Sequence, residues 1–285
     1  MTRRLTIALP SKGRLREPSW SLLEASGLSP QDPGERGLTA TCRNADVDIL
    51  FVRADDVPEY VQDGVVDCGI TGLDLVAEKE CAVEELLRLN YGTCSLRAAV
   101  VNEDEARDVA DLNGRRIATA HPRLAAKVLA DAGIVADLVT VTGSAEIAPR
   151  LGLADAIIDL VSSGSTLRTN GLRPIATLFE SEAVLVGRSD RASRDASRTL
   201  TTVLGSVVHA RANRYLMCNV AVEAVEAVTA ALPTTGSPSV MPLATAGTVA
   251  LHALVPAKDL WQLLPTLERL GATSILVLPV ERMMP

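Results

Sequence analysis

Glu146-Ile-Ala-Pro-Arg-Leu-Gly-Leu-Ala-Asp-Ala-Ile-Ile-Asp-Leu-Val-Ser-Ser-Gly-Ser-Thr-Leu167 is the stretch on which both fold and chemistry turn. Ala156–Leu160 reads as a buried strand, with carboxylates at Asp155 and Asp159. The small polar run that follows, Ser162, Ser163, Gly164, Ser165 and Thr166, opens a helix. Free backbone N–H groups at such a turn, and the partial positive charge of a helix start, form a ready anion site to which the hydroxyls add donors. Carboxylates beside a phosphate cradle are costly unless they accept hydrogen bonds. The hydroxyls of a ribose 5-phosphate would supply them, so the stretch fits a phosphorylated sugar lying across a strand end. An ordinary strand–turn–helix with Ser and Thr as caps accounts for the same residues equally well.

Outward from this point, short apolar runs alternate with amphipathic stretches, the pattern of an α/β protein. Upstream, strands are expected at Leu5–Leu9, Leu38–Arg43, Val47–Val52, Val66–Ile70 and Glu85–Leu89, with helices near Glu17–Ser26 and Asp55–Gly64. A second unit has strands at Leu96–Val101, Arg116–Ala120, Asp137–Val141 and Ala156–Leu160, and helices at Arg123–Ala132 and, despite Pro149, Ser144–Leu151. Ala183–Gly187 is a strand that is a candidate to rejoin the first unit, and a long helix runs from about Ser193 to Ala212. The remainder reads β-α-β-β-α-β, a ferredoxin-like unit, with Pro265 awkward inside its second helix. The expected boundaries are 1–92 with 182–212 for one lobe, 93–181 for the lobe carrying the anion loop, and 213–285 for the terminal unit.

Length and composition agree. At roughly 150 residues per domain, 285 residues make about two domains with room for a small third. Hydrophobic residues at 47% and charged ones at 22% exclude disorder. A net charge of −7 with only 2% aromatics lacks the cationic surface and stacking platforms of a nucleic-acid binder. The first apolar run stops at Pro10, too soon for a signal segment, and no run of about 18 apolar residues would span a membrane. Five scattered cysteines without C-x-x-C spacing read as buried hydrophobes in a reducing compartment, so the cytoplasm is the expected location.

The spacing of Glu146, Gly152, Ala154, Ile157, Asp159, Leu160, Ser163-Gly164 and Thr166-Leu167 resembles the signature of the ATP phosphoribosyltransferases. Similar likeness runs through Pro10-Ser-Lys-Gly-Arg-Leu15, Asp63-Gly-Val-Val-Asp-Cys-Gly-Ile-Thr-Gly72, Gly114-Arg-Arg-Ile-Ala-Thr-Ala-His-Pro122 and Gly271-Ala-Thr-Ser-Ile-Leu-Val-Leu-Pro279. It covers nearly the whole chain, and the terminal unit resembles the regulatory domain of the long form. The resemblance implies two lobes like those of periplasmic binding proteins. It also implies an Mg²⁺-dependent attack of ATP N1 on C1 of phosphoribosyl pyrophosphate, opening histidine biosynthesis, with no protein nucleophile. Which side chains touch the metal is left unknown.

On that likeness, Asp155 and Asp159 hold the ribose hydroxyls and Ser162, Ser163, Gly164, Ser165 and Thr166 the 5-phosphate. A solvent-facing turn residue is the lesser, competing reading of Asp155. Lys12, Gly13 and Arg14 lie beyond the end of the first strand, where open α/β sheets place ligands, and look like ligands for pyrophosphate or ATP phosphates. Arg53, Thr71, Gly72 and His121 are weaker candidates for ATP, with a surface ion pair from Arg53 to Asp55 or Asp56 and helix capping by Thr71 as competing readings. Ser237, Ser239 and Ser274 resemble the segments that hold inhibitory histidine, and a dimer or hexamer is implied. Against the enzyme stands a non-catalytic two-lobed sensor or binding protein, which needs no phosphate loop after Asp159.

Overall fold

The computed structural model of the chain describes residues 4–31, 34, 37–234 and 236–284, and side chains at all of these except 191–194. Two compact units emerge, Met1–Glu24 with Leu28–Thr201, and Ala25–Gly27 with Thr202–Pro285.

The larger unit begins β1 (Leu5–Pro10), α1 (Arg16–Ala25), β2 (Thr39–Thr41), β3 (Val47–Val52), α2 (Val57–Gln62), β4 (Cys68–Gly72), α3 (Leu73–Lys79) and β5 (Glu84–Arg88). It continues β6 (Cys94–Val101), β7 (Arg116–Thr119), α4 (Pro122–Asp131), β8 (Asp137–Thr140), β9 (Ala156–Val161), α5 (Ser165–Thr169), β10 (Leu172–Ser181) and β11 (Ala183–Gly187), and α6 (Arg191–Ala212) follows. These strands form two sheets. The first has the order β2-β3-β1-β4-β11-β5 and the second β10-β6-β9-β7-β8. The chain leaves the first sheet after β5 and returns at β11, which pairs antiparallel with both β4 and β5. Two lobes joined by two crossings result.

Each sheet is buried by residues that the strand period sends to alternate faces. In the first lobe Ala8, Val57, Val61, Val184 and Val186 pack together. A Cβ on Gly69 would lie 2.5 Å from Val57 Cγ1 and 3.3 Å from the Ala8 carbonyl, so only glycine lets α2 settle on β1 and β4. In the second lobe Leu96, Val100, Ile117, Leu124 and Ile158 fill one face, and Ala99, Ala118, Ile157, Val161 and Leu167 the other. Each buried Val, Leu or Ile among them contributes about 1.5–3 kcal/mol by leaving water.

One expected helix is missing. Across 144–151 only Ala145–Ile147 forms a single 3₁₀ turn, because Pro149 removes a backbone donor and its ring crowds the preceding turn. Pro265, in contrast, is carried inside a regular helix, in the second unit.

That second unit holds β12 (Asn213–Ala221), α7 (Val225–Ala231), β13 (Ser239–Pro242), β14 (Thr248–Pro256), α8 (Leu260–Arg269) and β15 (Thr273–Pro279). Its sheet order is β13-β14-β12-β15 with every pairing antiparallel, the ferredoxin-like arrangement. Leu216, Val228, Leu251, Val255, Leu263 and Leu267 form its core. Among the described residues no helix is long and apolar enough to cross a membrane.

Candidate functional site

Alternation along β9 sends Ile157, Asp159 and Val161 to the face that α5 covers. Asp159 is thereby held half-buried at the strand's carboxyl end, where the Leu160 N–H donates to its Oδ1 at 2.8 Å. Burial pushes its carboxyl up from the ordinary aspartate value. The Leu160 N–H acts against that shift, nearby Glu146 adds to it, and His121 opposes it. A carboxylate kept in this state is poorly solvated and binds hydroxyl donors strongly.

The chain then turns through Ser162-Ser163-Gly164. Gly164 takes φ +71°, a left-handed conformation that a side chain at this position would strain. Ser163 Oγ meets Ser165 Oγ at 2.9 Å and accepts the Ser165 N–H at 3.4 Å, and the buried Leu167 anchors α5 to the sheet. The first turn of α5 leaves N–H groups without intrahelical partners. Glu146, Asp159, Ser162, Ser163, Gly164 and Thr166 line a cavity of about 170 Å³. That is small beside the ~300–1,000 Å³ of drug-sized ligand sites, and it matches a phosphate group with part of one sugar.

Arg14 arrives from the other lobe, on the loop after β1. Its Nη1 donates to Ser162 Oγ at 3.0 Å and its Nη2 to Cys94 Sγ at 2.9 Å, so one guanidinium touches the start of β6 and the loop after β9. Lys12 and Gly13 are exposed on the same loop. Arg53 follows β3, the parallel neighbour of β1, so both loops leave the same end of the first sheet. Among the described residues it forms no ion pair with Asp55 or Asp56. Thr71 is fully buried on β4 and its Oγ1 donates to the Ala54 carbonyl at 2.6 Å, so its hydroxyl ties β4 to the loop after β3. Gly72 sits opposite Ala183 in the β4–β11 ladder. His121 stands at the start of α4, half-buried, its N–H donating to Thr119 Oγ1 at 3.0 Å. It does not cap that helix. The carboxylate of Glu78, on α3, accepts the Arg123 and Leu124 N–H groups at 3.2 and 2.8 Å instead.

Asp155 requires correction. It lies before β9, at the opposite end from Ser162, and six strand residues separate the two by roughly 20 Å. Its carboxylate accepts the Arg116 N–H at 2.9 Å and lines a different cavity with Asp104 and Arg115. It cannot share a ribose with Asp159. Ser237 and Ser239 do not meet Ser274 either. They sit at β13 and β15, opposite edges of one four-stranded sheet, about 14 Å apart at normal strand spacing. Ser274, with φ +49°, instead borders an open groove of about 760 Å³ together with Glu268 and Thr273.

Glu146 is the site residue that composition and pattern did not single out for a role. Its signal was modest, a carboxylate thirteen residues before Asp159 in a mostly apolar segment that also holds Arg150 and Asp155.

Comparison with known proteins bears on what this cavity serves. Residues 53–206 match the family described as "HisG: ATP phosphoribosyltransferase", and residues 210–282 match "HisG, C-terminal domain". A protein of Methanococcoides burtonii named ATP phosphoribosyltransferase is 41% identical over 283 residues, covering 99% of this chain and 100% of its own length. One of Gemmatimonas aurantiaca with the same name is 40% identical over 99% of this chain and 100% of its own. Among solved structures, the ATP phosphoribosyl transferase (HisG:HisZ) complex from Thermotoga maritima is similar at 28% identity and a TM-score of 0.61, over 72% of this chain and 98% of that one.

Proposed function

The chain belongs to the ATP phosphoribosyltransferase family, in its long form, and from that premise we propose how its residues share the work. The reaction is the first of histidine biosynthesis, transfer of the phosphoribosyl group of phosphoribosyl pyrophosphate to N1 of ATP with release of pyrophosphate. The non-catalytic sensor is not favoured, since relatives named for the enzyme match over their full length.

The coil from Ser162 to Thr166 holds the 5-phosphate, and Asp159 accepts hydrogen bonds from the ribose hydroxyls. As the bond from C1 to pyrophosphate lengthens, C1 becomes cation-like, and the desolvated Asp159 carboxylate favours that charge. Arg14 and Lys12 neutralise the departing pyrophosphate, and Arg53 and His121 face the nucleotide. The ATP N1 lone pair forms the new bond to C1 while the electron pair of the broken C–O bond leaves with pyrophosphate. Catalysis is then positioning and charge neutralisation. The observation that carries this reading is that Asp159 and the small-residue coil line one small cavity, and that a cross-lobe arginine donates to Ser162 of that coil.

Magnesium takes oxygen ligands and is commonly held by one or two carboxylates together with substrate phosphates. Among the described residues no cluster of three His, Cys, Asp or Glu is placed to hold a metal, whereas Glu146 and Asp159 line the same cavity. These two would hold an Mg²⁺ that arrives on pyrophosphate, where it would add neutralising charge. The cytoplasm is the proposed compartment.

The test is to mix the protein with ATP, phosphoribosyl pyrophosphate and Mg²⁺ and follow the ultraviolet absorbance of the N1-substituted adenine. Thr166→Ala should raise the KM for phosphoribosyl pyrophosphate about tenfold, the worth of one hydrogen bond to a charged group, and leave that for ATP nearly unchanged. Equal losses for both substrates would contradict the assignment.

Inhibition by histidine is proposed for the groove beside Ser274, where Glu268 supplies the carboxylate an amino acid's ammonium group needs. Glu268→Gln should raise the half-inhibitory histidine concentration while sparing uninhibited turnover. Assembly into dimers or hexamers is proposed through the outer face of the second unit's sheet, where Leu254, Tyr215 and Leu278 lie directly opposite one another and exposed.

A further inference from the structure

α5 has a cavity on each side. The one facing Asp159 is described above. The other, of about 300 Å³, lies toward β6 and β10 and is lined by Arg97, Asn102, Arg168 and Arg173 together with Ser163 and Gly164 of the coil. None of its described lining residues is acidic.

Of this cavity's arginines, Arg97 and Arg168 stand on the face that α5 covers, whereas Arg173, next to Leu172 on β10, leaves the strand toward the opposite face. Elsewhere Arg4, Arg88, Arg115, Arg116 and Arg123 each have a carboxylate within 4 Å. Among the described residues Arg97 and Arg168 have none, whereas Arg173 lies near enough to Asp104 for its charge to help lower that carboxyl. Arg97 is the most telling. The β6–β9 register sets it directly opposite Asp159, and such neighbours have Cβ atoms only about 5 Å apart. Yet the two side chains do not pair. Arg97 Nε donates instead to Ser95 Oγ at 2.7 Å, which fixes the plane of the guanidinium. Arg173 Nη2 is braced by the Asp104 and Ala106 carbonyls at 2.6 Å each, and Arg168 Nη1 by the Ser163 carbonyl at 3.4 Å. Arg97 and Arg168 thus present braced guanidinium groups without a carboxylate partner, and a multiply charged oxyanion is the group that such planar forks fit.

We propose that this cavity is a second oxyanion site, back to back with the 5-phosphate coil, and that it takes inorganic pyrophosphate or phosphate. Ser163 and Gly164 belong to both cavities, so an anion on one side bears on the coil that grips the substrate on the other. The site needs nothing from the second unit.

Calorimetric titration of the full-length protein, with inorganic phosphate in one series and pyrophosphate in another, tests this without turnover. The expected result is a binding event weakened tenfold or more in Arg97→Gln, weakened less in Arg97→Lys, which keeps the charge and loses the fork, and retained in Thr166→Ala. The loop event should show the opposite dependence. The series with the tighter Arg97-dependent event identifies the anion. Unchanged binding of both anions in Arg97→Gln overturns the proposal. Loss of one and the same event in Arg97→Gln and Thr166→Ala also overturns it, because there would then be a single site. Should Arg97→Gln fail to fold, as circular dichroism would report, the exposed Arg168→Gln carries the same comparison. A failure of the Thr166 arm alone strikes the coil assignment and leaves the arginine site standing.

Discussion

The two ends of β9 carry two aspartates in opposite circumstances. At the carboxyl end Asp159 is half-buried and beside a second carboxylate, with its carboxyl pushed up by burial. At the amino end Asp155 is exposed and accepts the Arg116 N–H, in a cavity where Asp104 meets Arg115 at 2.6 Å. The Arg115 hydrogen bond holds the Asp104 carboxyl below its ordinary value, aided by the Ala106 N–H. One end is matched within the chain and the other is not. A folded chain keeps an unmatched, desolvated carboxylate beside open hydroxyls only where something else completes it, and that contrast marks which end meets substrate.

The largest effect should come from the unmatched end. Asp159→Asn should lower kcat/KM for phosphoribosyl pyrophosphate by a hundredfold or more, the scale for a group that faces developing charge. Its effect on stability should run the other way. A folded-state carboxyl raised above its unfolded value means that ionisation costs stability as pH rises through that range. The asparagine variant should therefore melt at an equal or higher temperature at neutral pH. A large loss of melting temperature would show Asp159 to be structural.

At the other end the order should reverse. Asp104→Asn should cost about 1 kcal/mol at neutral pH, the upper range for a partly exposed ion pair, with kcat within threefold of the parent. Because the Asp104 carboxyl is depressed, its contribution is present above the ordinary aspartate value and fades as pH falls through the folded-state value. Melting curves of parent and variant should converge in acid. Asp155→Asn should have the smallest effect, a fraction of a kcal/mol and near-normal kinetics. A hundredfold loss of activity there would break the comparison and return Asp155 to the substrate.

Much of this was legible in the chain. The α/β alternation, the β-α-β-β-α-β order and the polar coil after a buried strand are local patterns, and each formed where periodicity and turn chemistry put it. Asp155 shows a signal overlooked. On a strand, four residues extend about 13 Å, too far for two carboxylates to hold adjacent hydroxyls of one ring. The helix expected across 144–151 fails at Pro149 for a local reason, and that irregular turn brings Glu146 to the cavity.

What the sequence determined by itself was the set of elements and the chemistry of one loop, because side-chain period and backbone conformation depend on neighbours a few residues away. What only tertiary structure decided was company. The pairing of β9 with β6 set Arg97 across from Asp159, Arg14 reached Ser162 across 148 positions, and strand order in the second unit parted Ser239 from Ser274. Those meetings follow from how buried faces stack and which strands become neighbours, a cooperative outcome of the whole core that no short stretch encodes.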